Sequence, residues 1–117
     1  MGRYKFTNKA VEDLTNIWNY TVIEWSESQA DIYYEMLIES CEEAAKKPDL
    51  GRDYSNITEF LLGIESGRHI IFYQKKAEDQ IEIIRILHEQ MDLKNRLKKT
   101  IRRSFKISAD RFLGDSE

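Results

Sequence analysis

The sequence predicts an α+β fold in the order β-α-α-β-β-β, in which an antiparallel helical hairpin packs on a small antiparallel sheet and a basic C-terminal helix or tail follows. Up to about residue 47, apolar residues recur at spacings of three and four, which is the period of an amphipathic helix. Beyond that point the apolar runs become short and rich in β-branched and aromatic residues, which is typical of strands. The length of 117 residues fits a single domain with a modest core.

The opening residues predict the first strand and the first helix. The segment Arg3–Phe6 is expected to form a short strand, and Thr7 is a suitable N-cap for a helix over about residues 8–24. This helix is predicted to turn one apolar stripe toward the core. The stripe consists of Val11, Leu14, Trp18, Val22 and Trp25.

The second helix is marked at both ends. Ser26 with Gln29 three residues later fits a capping box, so the helix is expected to begin near Glu27. It is expected to stop before Pro48, because a proline disfavours helical geometry in the residue that precedes it. Only a few residues join the two helices, so they are expected to be antiparallel neighbours. The inward side of the second helix is predicted to carry Ala30, Tyr33, Tyr34, Leu37, Cys41, Ala44 and Ala45.

The second half of the chain predicts three strands after a loop with the sequence PDLGRDYSN, which is rich in Pro, Gly, Asp and Asn. The strands are expected over residues 60–64, 68–74 and 81–87, and the links between them are too short for helical crossovers. They should therefore form an antiparallel meander. The last strand is almost entirely apolar, as expected for a central strand covered on both faces. The predicted core contains Trp18, Trp25, Tyr33, Leu37, Phe60, Phe72, Ile83 and Leu87.

The C-terminal part is predicted to form a basic amphipathic helix that begins after Asp92. Leu97, Ile101 and Phe105 follow one another at a spacing of four. We divide the chain into a domain over residues 1–98 and a C-terminal extension over residues 99–117. The extension is interpreted either as a segment that helps to bind a target or DNA, or as an added segment that covers the sheet.

Charge is distributed unevenly along the chain, although the net charge is only −3. Residues 10–45 contain nine acidic residues and no lysine or arginine, whereas residues 94–106 contain seven basic residues and no acidic one. Such an asymmetry indicates either a surface for a charged partner or two solvated faces that attract each other within the fold.

The composition excludes several kinds of site. Cys41 is the single cysteine, and His69 and His88 are the only histidines, so no metal site and no cofactor are expected. No apolar run is long enough to cross a bilayer, and the first residues do not resemble a secretory signal. We therefore expect no membrane partner and a cytoplasmic location. No serine lies in a GxSxG turn, and no loop matches a phosphate-binding fingerprint.

One catalytic interpretation stays open. Arg68 is predicted at the start of one strand, and Arg85 and His88 lie near the end of the next, so antiparallel pairing could bring them together. Two cations and an imidazole are what metal-free RNA cleavage requires, and Glu59 would act as the base. The alternative is structural: His88 completes a strand end, and the two arginines pair with acids of the helical hairpin.

Five segments of the chain, taken in sequence order, carry a resemblance to a known family: FTNKAVEDLTNIWNYT, WSESQADIYYEML, KKPDLGRDY, LLGIESGRHIIFYQ and IEIIRILHEQMD. Together they resemble the ParE branch of the RelE/ParE superfamily of bacterial toxin–antitoxin toxins, over residues 3 to about 97. The resemblance implies the toxin component of a type II toxin–antitoxin system. Such a toxin inhibits DNA gyrase by binding, is not an enzyme, and is neutralised by a cognate antitoxin with which it forms a hetero-oligomer.

Two other functions remain as alternatives. The first is a ribosome-dependent mRNA endonuclease of the RelE type that uses Arg68, Arg85 and His88. RelE-type nucleases commonly place a tyrosine near the end of the last strand, and this chain has no tyrosine there, which weakens that alternative. The second is a toxin-like domain that has lost its activity and serves as a binding module.

The resemblance also implies two sets of contact residues. Antitoxin is expected along the apolar groove of the hairpin and at the exposed edge of the sheet, which can accept an added strand. The predicted antitoxin-binding residues are Trp18, Val22, Tyr34, Glu35, Ile38, Glu39 and Glu42. The predicted target-binding residues are Arg68, Arg85, His88, Lys94 and Arg96.

Overall fold

The computed structural model describes residues 2–90 and residue 97. The chain runs through a strand, two helices and four further strands, with a 3-10 turn at Pro48–Leu50. The elements are β1 (Arg3–Phe6), α1 (Asn8–Glu24), α2 (Glu27–Lys46), β2 (Arg52–Asp53), β3 (Leu62–Ser66), β4 (His69–Ala77) and β5 (Gln80–His88). The α+β fold and the predicted order of its elements are confirmed. Apart from Leu97, the predicted C-terminal helix, with Asp92, Ile101 and Phe105, lies outside the described residues.

The five strands form one sheet in the order β1-β5-β4-β3-β2. The meander of β3, β4 and β5 is antiparallel, as predicted. Two features were not predicted from the sequence. The loop before the meander contains the short strand β2, which pairs with the start of β3. In addition, β1 pairs with β5 in parallel, so the sheet as a whole is mixed.

Both helices begin where the sequence predicts. The Thr7 hydroxyl accepts a hydrogen bond from the backbone N–H of Ala10 at 3.0 Å, and the Ser26 hydroxyl accepts one from Gln29 at 3.1 Å. Each bond satisfies one of the N–H groups that a helix leaves unpaired at its first turn. Thr7 has a second role, because its hydroxyl donates to the carbonyl of Ile84 in β5 at 2.8 Å. The start of α1 is therefore tied to the centre of the sheet.

The sheet is covered on both faces, as its apolar central strand predicted. On the hairpin face, the helices bury Leu14, Leu37 and Cys41 against β4 and β5. On the opposite face, which we call the far face, a second cluster forms. The far-face cluster contains Leu61, Ile70, Phe72, Ile84, Leu87 and Leu97, with Tyr54 and Ile57 packed against it.

The core prediction is confirmed for four residues, Leu37, Phe72, Ile83 and Leu87, all of which are buried. Tyr33 and Trp18 are only partly buried. The prediction is wrong for Trp25 and Phe60, which are 74% and 75% exposed. Trp25 occupies the C-cap of α1, one residue beyond the helix that carries the apolar stripe. Phe60 lies in a turn before β3 rather than inside that strand.

A β-bulge lies in the middle of β5. Phe72 pairs with Arg85 and Tyr73 pairs with Ile83, which leaves Ile84 as the extra residue. Such a bulge shifts the alternation of side chains along a strand. As a result, Ile83 and Ile86 both contact the hairpin-face cluster, although they are three positions apart.

Candidate binding surfaces

A groove with a volume of about 480 Å³ lies between the two helices, next to Phe6 at the end of β1. Its walls are largely apolar and are lined by Phe6, Val11, Leu14, Thr15, Trp18, Asp31 and Tyr34. The indole N–H of Trp18 donates to the Asp31 carboxylate at 3.3 Å, which joins the two walls. Of the seven predicted antitoxin-binding residues, the groove brings together Trp18 and Tyr34. Two inward-facing predictions are wrong here: Val11 of the apolar stripe is 49% exposed, and Tyr34 of the second helix is 43% exposed. Leu14 of the stripe is buried.

The predicted acidic residues, which we call the acidic rim, lie exposed on α2, the helix that supplies Asp31 and Tyr34 to the groove. Glu35, Glu39 and Glu42 lie on α2 at spacings of four and three, and all three are exposed. Ile38 is partly buried and packs against the hairpin-face cluster, and Val22 is partly buried on α1. The predicted antitoxin surface thus combines an apolar groove with exposed acidic side chains on α2, one of the two helices that line the groove.

The turn between β3 and β4 presents Arg68 at one end of the sheet. Gly67 is the first of its two residues and adopts a φ of 60°, which glycine tolerates and most other residues avoid. A Cβ at this position would also collide with the Tyr33 hydroxyl and Met36. The backbone N–H of Arg68 donates to that hydroxyl at 2.9 Å, so α2 holds the turn in place while the Arg68 side chain stays exposed.

His69 and His88 face each other directly behind this turn. They are paired across β4 and β5, and their ring centroids are 5.3 Å apart. His69 Nδ1 lies 2.7 Å from the Tyr33 hydroxyl, and His88 Nδ1 accepts a hydrogen bond from the backbone N–H of Gln90 at 3.1 Å. Burial, and then the neighbouring His88, lowers the pKa of His69 to about 4, although Asp13 opposes the shift. His69 is therefore uncharged at neutral pH.

Arg85 is engaged inside the fold. Its Nε donates to Asp13 Oδ2 at 2.7 Å and its Nη2 donates to Asp13 Oδ1 at 2.9 Å, and both side chains are 11% exposed. Asp13 Oδ2 also accepts the backbone N–H of Ile86 at 2.9 Å. This pair fastens α1 to the bulged strand. The structural alternative stated for the arginines, pairing with an acid of the hairpin, therefore holds for Arg85.

The four residues proposed for a nuclease are not assembled into one site. Arg68 and His88 do lie at the same end of the sheet, since Glu89 N donates to Arg68 O at 3.0 Å. Glu59 lies elsewhere: its carbonyl accepts a hydrogen bond from the side chain of Gln74, five residues along β4 from His69. That separation is about 16 Å along a strand. With Arg85 bound to Asp13 and Glu59 distant, only an exposed arginine and a strand-end histidine remain together.

Other groups contribute little chemistry. Burial raises the pKa of the Cys41 thiol to about 12, so it stays protonated and is a buried apolar group. Within residues 2–90 and 97, no group of three or more His, Cys, Asp or Glu side chains is placed to hold a metal ion. In that same part of the chain, neither helix combines the length and apolar character that a membrane crossing needs. Lys94 and Arg96 lie outside the described residues.

Known proteins provide an independent comparison. A family model for the ParE toxin of the type II toxin-antitoxin system, parDE, matches residues 4–93. Toxin ParE1 of Mycobacterium tuberculosis (strain CDC 1551 / Oshkosh) is 32% identical over 96 residues, which cover 82% of this chain and 98% of the relative. Toxin ParE1 of Caulobacter vibrioides is 32% identical over 97 residues, which cover 83% and 99%. Toxin ParE of Escherichia coli is 31% identical over 97 residues, which cover 83% and 94%.

A solved structure extends the comparison to the fold. The structure titled "Chromosomal ParDE TA system from P. aeruginosa" superposes with a TM-score of 0.65 and 19% sequence identity, over 75% of this chain and 96% of that chain. The sequence relatives are named as toxins rather than enzymes, in agreement with a toxin that is not an enzyme. The family model and these relatives cover most of the chain in one continuous stretch. The chain belongs to the ParE family of toxins of type II toxin-antitoxin systems.

Proposed function

We propose that this toxin acts in the cytoplasm by binding DNA gyrase and blocking it, and that a cognate antitoxin silences it in a hetero-oligomer. One observation supports contact rather than catalysis. Arg85, a cation that cleavage of RNA would require, is bound to Asp13 within the fold, and Glu59 is about 16 Å away along the strand. Two of the four residues named for the RelE-type alternative, Arg85 and Glu59, are therefore not available beside Arg68 and His88.

The groove between α1 and α2 is the proposed antitoxin site. An amphipathic helix can place its apolar side chains against Trp18 and Tyr34, as in other helix-in-groove complexes. Basic residues of the antitoxin would then face the rim formed by Glu35, Glu39 and Glu42. Exposed charge pairs of this kind contribute about 0–1 kcal/mol each and act mainly on the rate of encounter.

The proposed target contact centres on Arg68 at the turn that Tyr33 holds. In a purified supercoiling assay, the wild-type protein is expected to inhibit gyrase and to accumulate cleaved DNA. Arg68→Ala is expected to weaken inhibition about tenfold, which is the loss of one good contact of about 1.4 kcal/mol. Lys5→Ala, which removes an exposed cation from β1, serves as the matched control. Supercoiling that continues unchanged at micromolar toxin would refute the gyrase assignment, and message cleavage in a translating extract that disappears in His88→Ala would favour the nuclease.

The antitoxin site has its own test. Charge reversal at Glu35 and Glu39 to lysine is expected to slow association with the antitoxin at low salt, whereas Trp18→Ala is expected to speed dissociation, because it removes an apolar anchor. Glu78→Lys, in the turn between β4 and β5, changes charge equally away from the groove. Stopped-flow measurement of both rate constants distinguishes the two effects. Equal association rates for the reversed and wild-type chains at low salt would remove the acidic rim from the site.

A further inference from the structure

Phe60 combines two unfavourable features on the surface of the molecule. Phe60 adopts a positive φ of 65° although it is not a glycine, and no other non-glycine residue in the described part of the chain does so. It is also 75% exposed. The backbone N–H of Leu61 donates to the carbonyl of Thr58 at 3.2 Å, which makes Phe60 the third residue of a tight turn. Turns of this kind favour glycine or asparagine there, since a Cβ is strained at positive φ. A large aromatic residue in water is a further cost.

Hydrogen bonds and packing contacts hold the surrounding loop in this conformation. The backbone N–H of Tyr54 donates to the carbonyl of Leu61 at 2.9 Å, which closes the loop on itself. The ring of Tyr54 packs edge-on against Phe72 at 5.0 Å, and Leu61 is fully buried beside it. The side chain of Gln74 bonds the carbonyl of Glu59 at 3.2 Å. Strained residues persist where their neighbours enforce them, and they concentrate at functional sites.

The loop lies away from the proposed antitoxin groove. Tyr54 and Leu61 belong to the far-face cluster, whereas α1 and α2 cover the hairpin face. A partner that grips Phe60 therefore meets a different surface from a helix seated between α1 and α2.

The charges beside Phe60 indicate the kind of partner. Glu59 precedes it directly, and Asp53 closes the other end of the loop by accepting the backbone N–H of Ser55 at 2.8 Å. That bond lowers the pKa of Asp53, so the carboxyl is ionised at neutral pH. With exposed Arg52 beside Asp53, the two carboxylates still leave a net negative charge here, which opposes a polyanion. An exposed aromatic side chain held by a hydrogen-bonded turn is a common anchor of protein–protein interfaces.

We propose that Phe60 anchors a second protein-binding surface, through which the toxin inserts an aromatic ring into an apolar pocket of its protein target. This inference rests on the proposed function, because it assumes that the toxin arrests growth by binding and inhibiting a protein. It is independent of the identity of that target and of the antitoxin site. The strained turn presents the ring before binding, so no ordering of the loop is needed when the target is met.

The test uses Phe60→Gly, because glycine adopts positive φ freely and also lacks the ring. The expected result is a melting temperature equal to or above that of the wild type, unchanged binding of the antitoxin, and at least a tenfold loss of growth arrest when the chain is expressed without antitoxin. A residue kept only for folding would give the opposite sign in the melting temperature. Trp25→Ala is the matched control, since Trp25 is 74% exposed but has a negative φ, −128°, at the C-cap of α1.

Four other outcomes overturn the inference. A lower melting temperature for Phe60→Gly would make Phe60 a structural residue, and weaker antitoxin binding would assign the ring to the antitoxin. Full growth arrest by Phe60→Gly would show that the ring contacts no target. Fluorescence polarisation with labelled single-stranded and duplex DNA would assign the surface to nucleic acid if the wild type binds and Phe60→Gly does not. Growth arrest by the wild type without any effect on gyrase would refute only the gyrase assignment.

Discussion

Side chains from three elements lie around His69, and burial among them keeps its imidazole neutral. Tyr33 reaches it from α2, His88 faces it from β5, and Asp13 acts on it from α1. Burial lowers its pKa to about 4 from an ordinary value near 6.5. The folded chain therefore binds a proton at this residue less readily than the unfolded chain does, and stability is linked to pH at this point.

The predicted consequence is a loss of stability in mild acid. Between pH 6.5 and 4 the unfolded state is protonated at residue 69 and the folded state is not, so the free energy of unfolding should fall as the pH falls through that window. One proton limits the slope to about 1.4 kcal/mol per pH unit, and partial exposure of the ring reduces it. Urea unfolding at several pH values measures the slope. His69→Gln, which cannot titrate, should be flatter over the same window, and identical slopes would contradict the assignment.

Arg85 and Phe60 show which residue-scale features the sequence could not provide. From residue type and position, Arg85 is interpreted either as a site cation or as a partner of some acid in the hairpin, and Phe60 is interpreted as core. The partner of Arg85 is Asp13, which lies 72 positions earlier, and a bidentate pair over that separation leaves no local pattern. The positive φ of Phe60 depends on hydrogen bonds from Leu61 and Gln74, and it contradicts the local preference that predicts a strand. In both residues, contacts with distant parts of the chain help to determine the structure, and a local sequence pattern does not show them.

At the scale of elements, the helix boundaries could be predicted and the sheet pairing could not. Thr7, Ser26 and Pro48 act on the residues beside them, so caps and stops are visible in the sequence. The parallel pairing of β1 with β5 joins strands more than seventy residues apart, and β2 is too short to produce a pattern of its own.

Thr7 links these elements, and its removal is predicted to cost more than removal of an ordinary cap. Thr7→Ala loses the cap of α1 and the hydrogen bond to the bulged strand, so we expect a loss of about 2 kcal/mol in the free energy of unfolding. Ser26→Ala loses only an exposed cap and is expected to cost about 1 kcal/mol. Thr7→Ser should recover most of the difference. Equal losses in urea unfolding for Thr7→Ala and Ser26→Ala would show that the bond to Ile84 contributes nothing.

At the scale of the whole molecule, the two faces of the sheet differ in how they are covered. The hairpin face is closed by α1 and α2, which precede the meander in sequence. The far face is closed by the loop around Tyr54 and by Leu97, which is fully buried among Ile70, Phe72 and Leu87. The family match ends at residue 93, so this contact comes from beyond the matched segment. We therefore propose that the folded domain ends after residue 98, so that it includes Leu97 and its contact with the far face.

Truncation tests where the folding unit ends. A chain of residues 1–98 retains Leu97 and is expected to unfold cooperatively with nearly the midpoint of the full chain, whereas residues 1–90 expose the far-face cluster and should fold poorly. In the full chain, Leu97→Ala is expected to cost about 2–5 kcal/mol, because it leaves a cavity between apolar neighbours. That loss is a large part of the roughly 5–15 kcal/mol that stabilises a small domain. Leu50→Ala, at a leucine that is 52% exposed, is the control and should cost far less. If residues 1–98 unfold at a much lower urea concentration than the full chain, the extension over 99–117 contributes to the fold and the boundary must be moved.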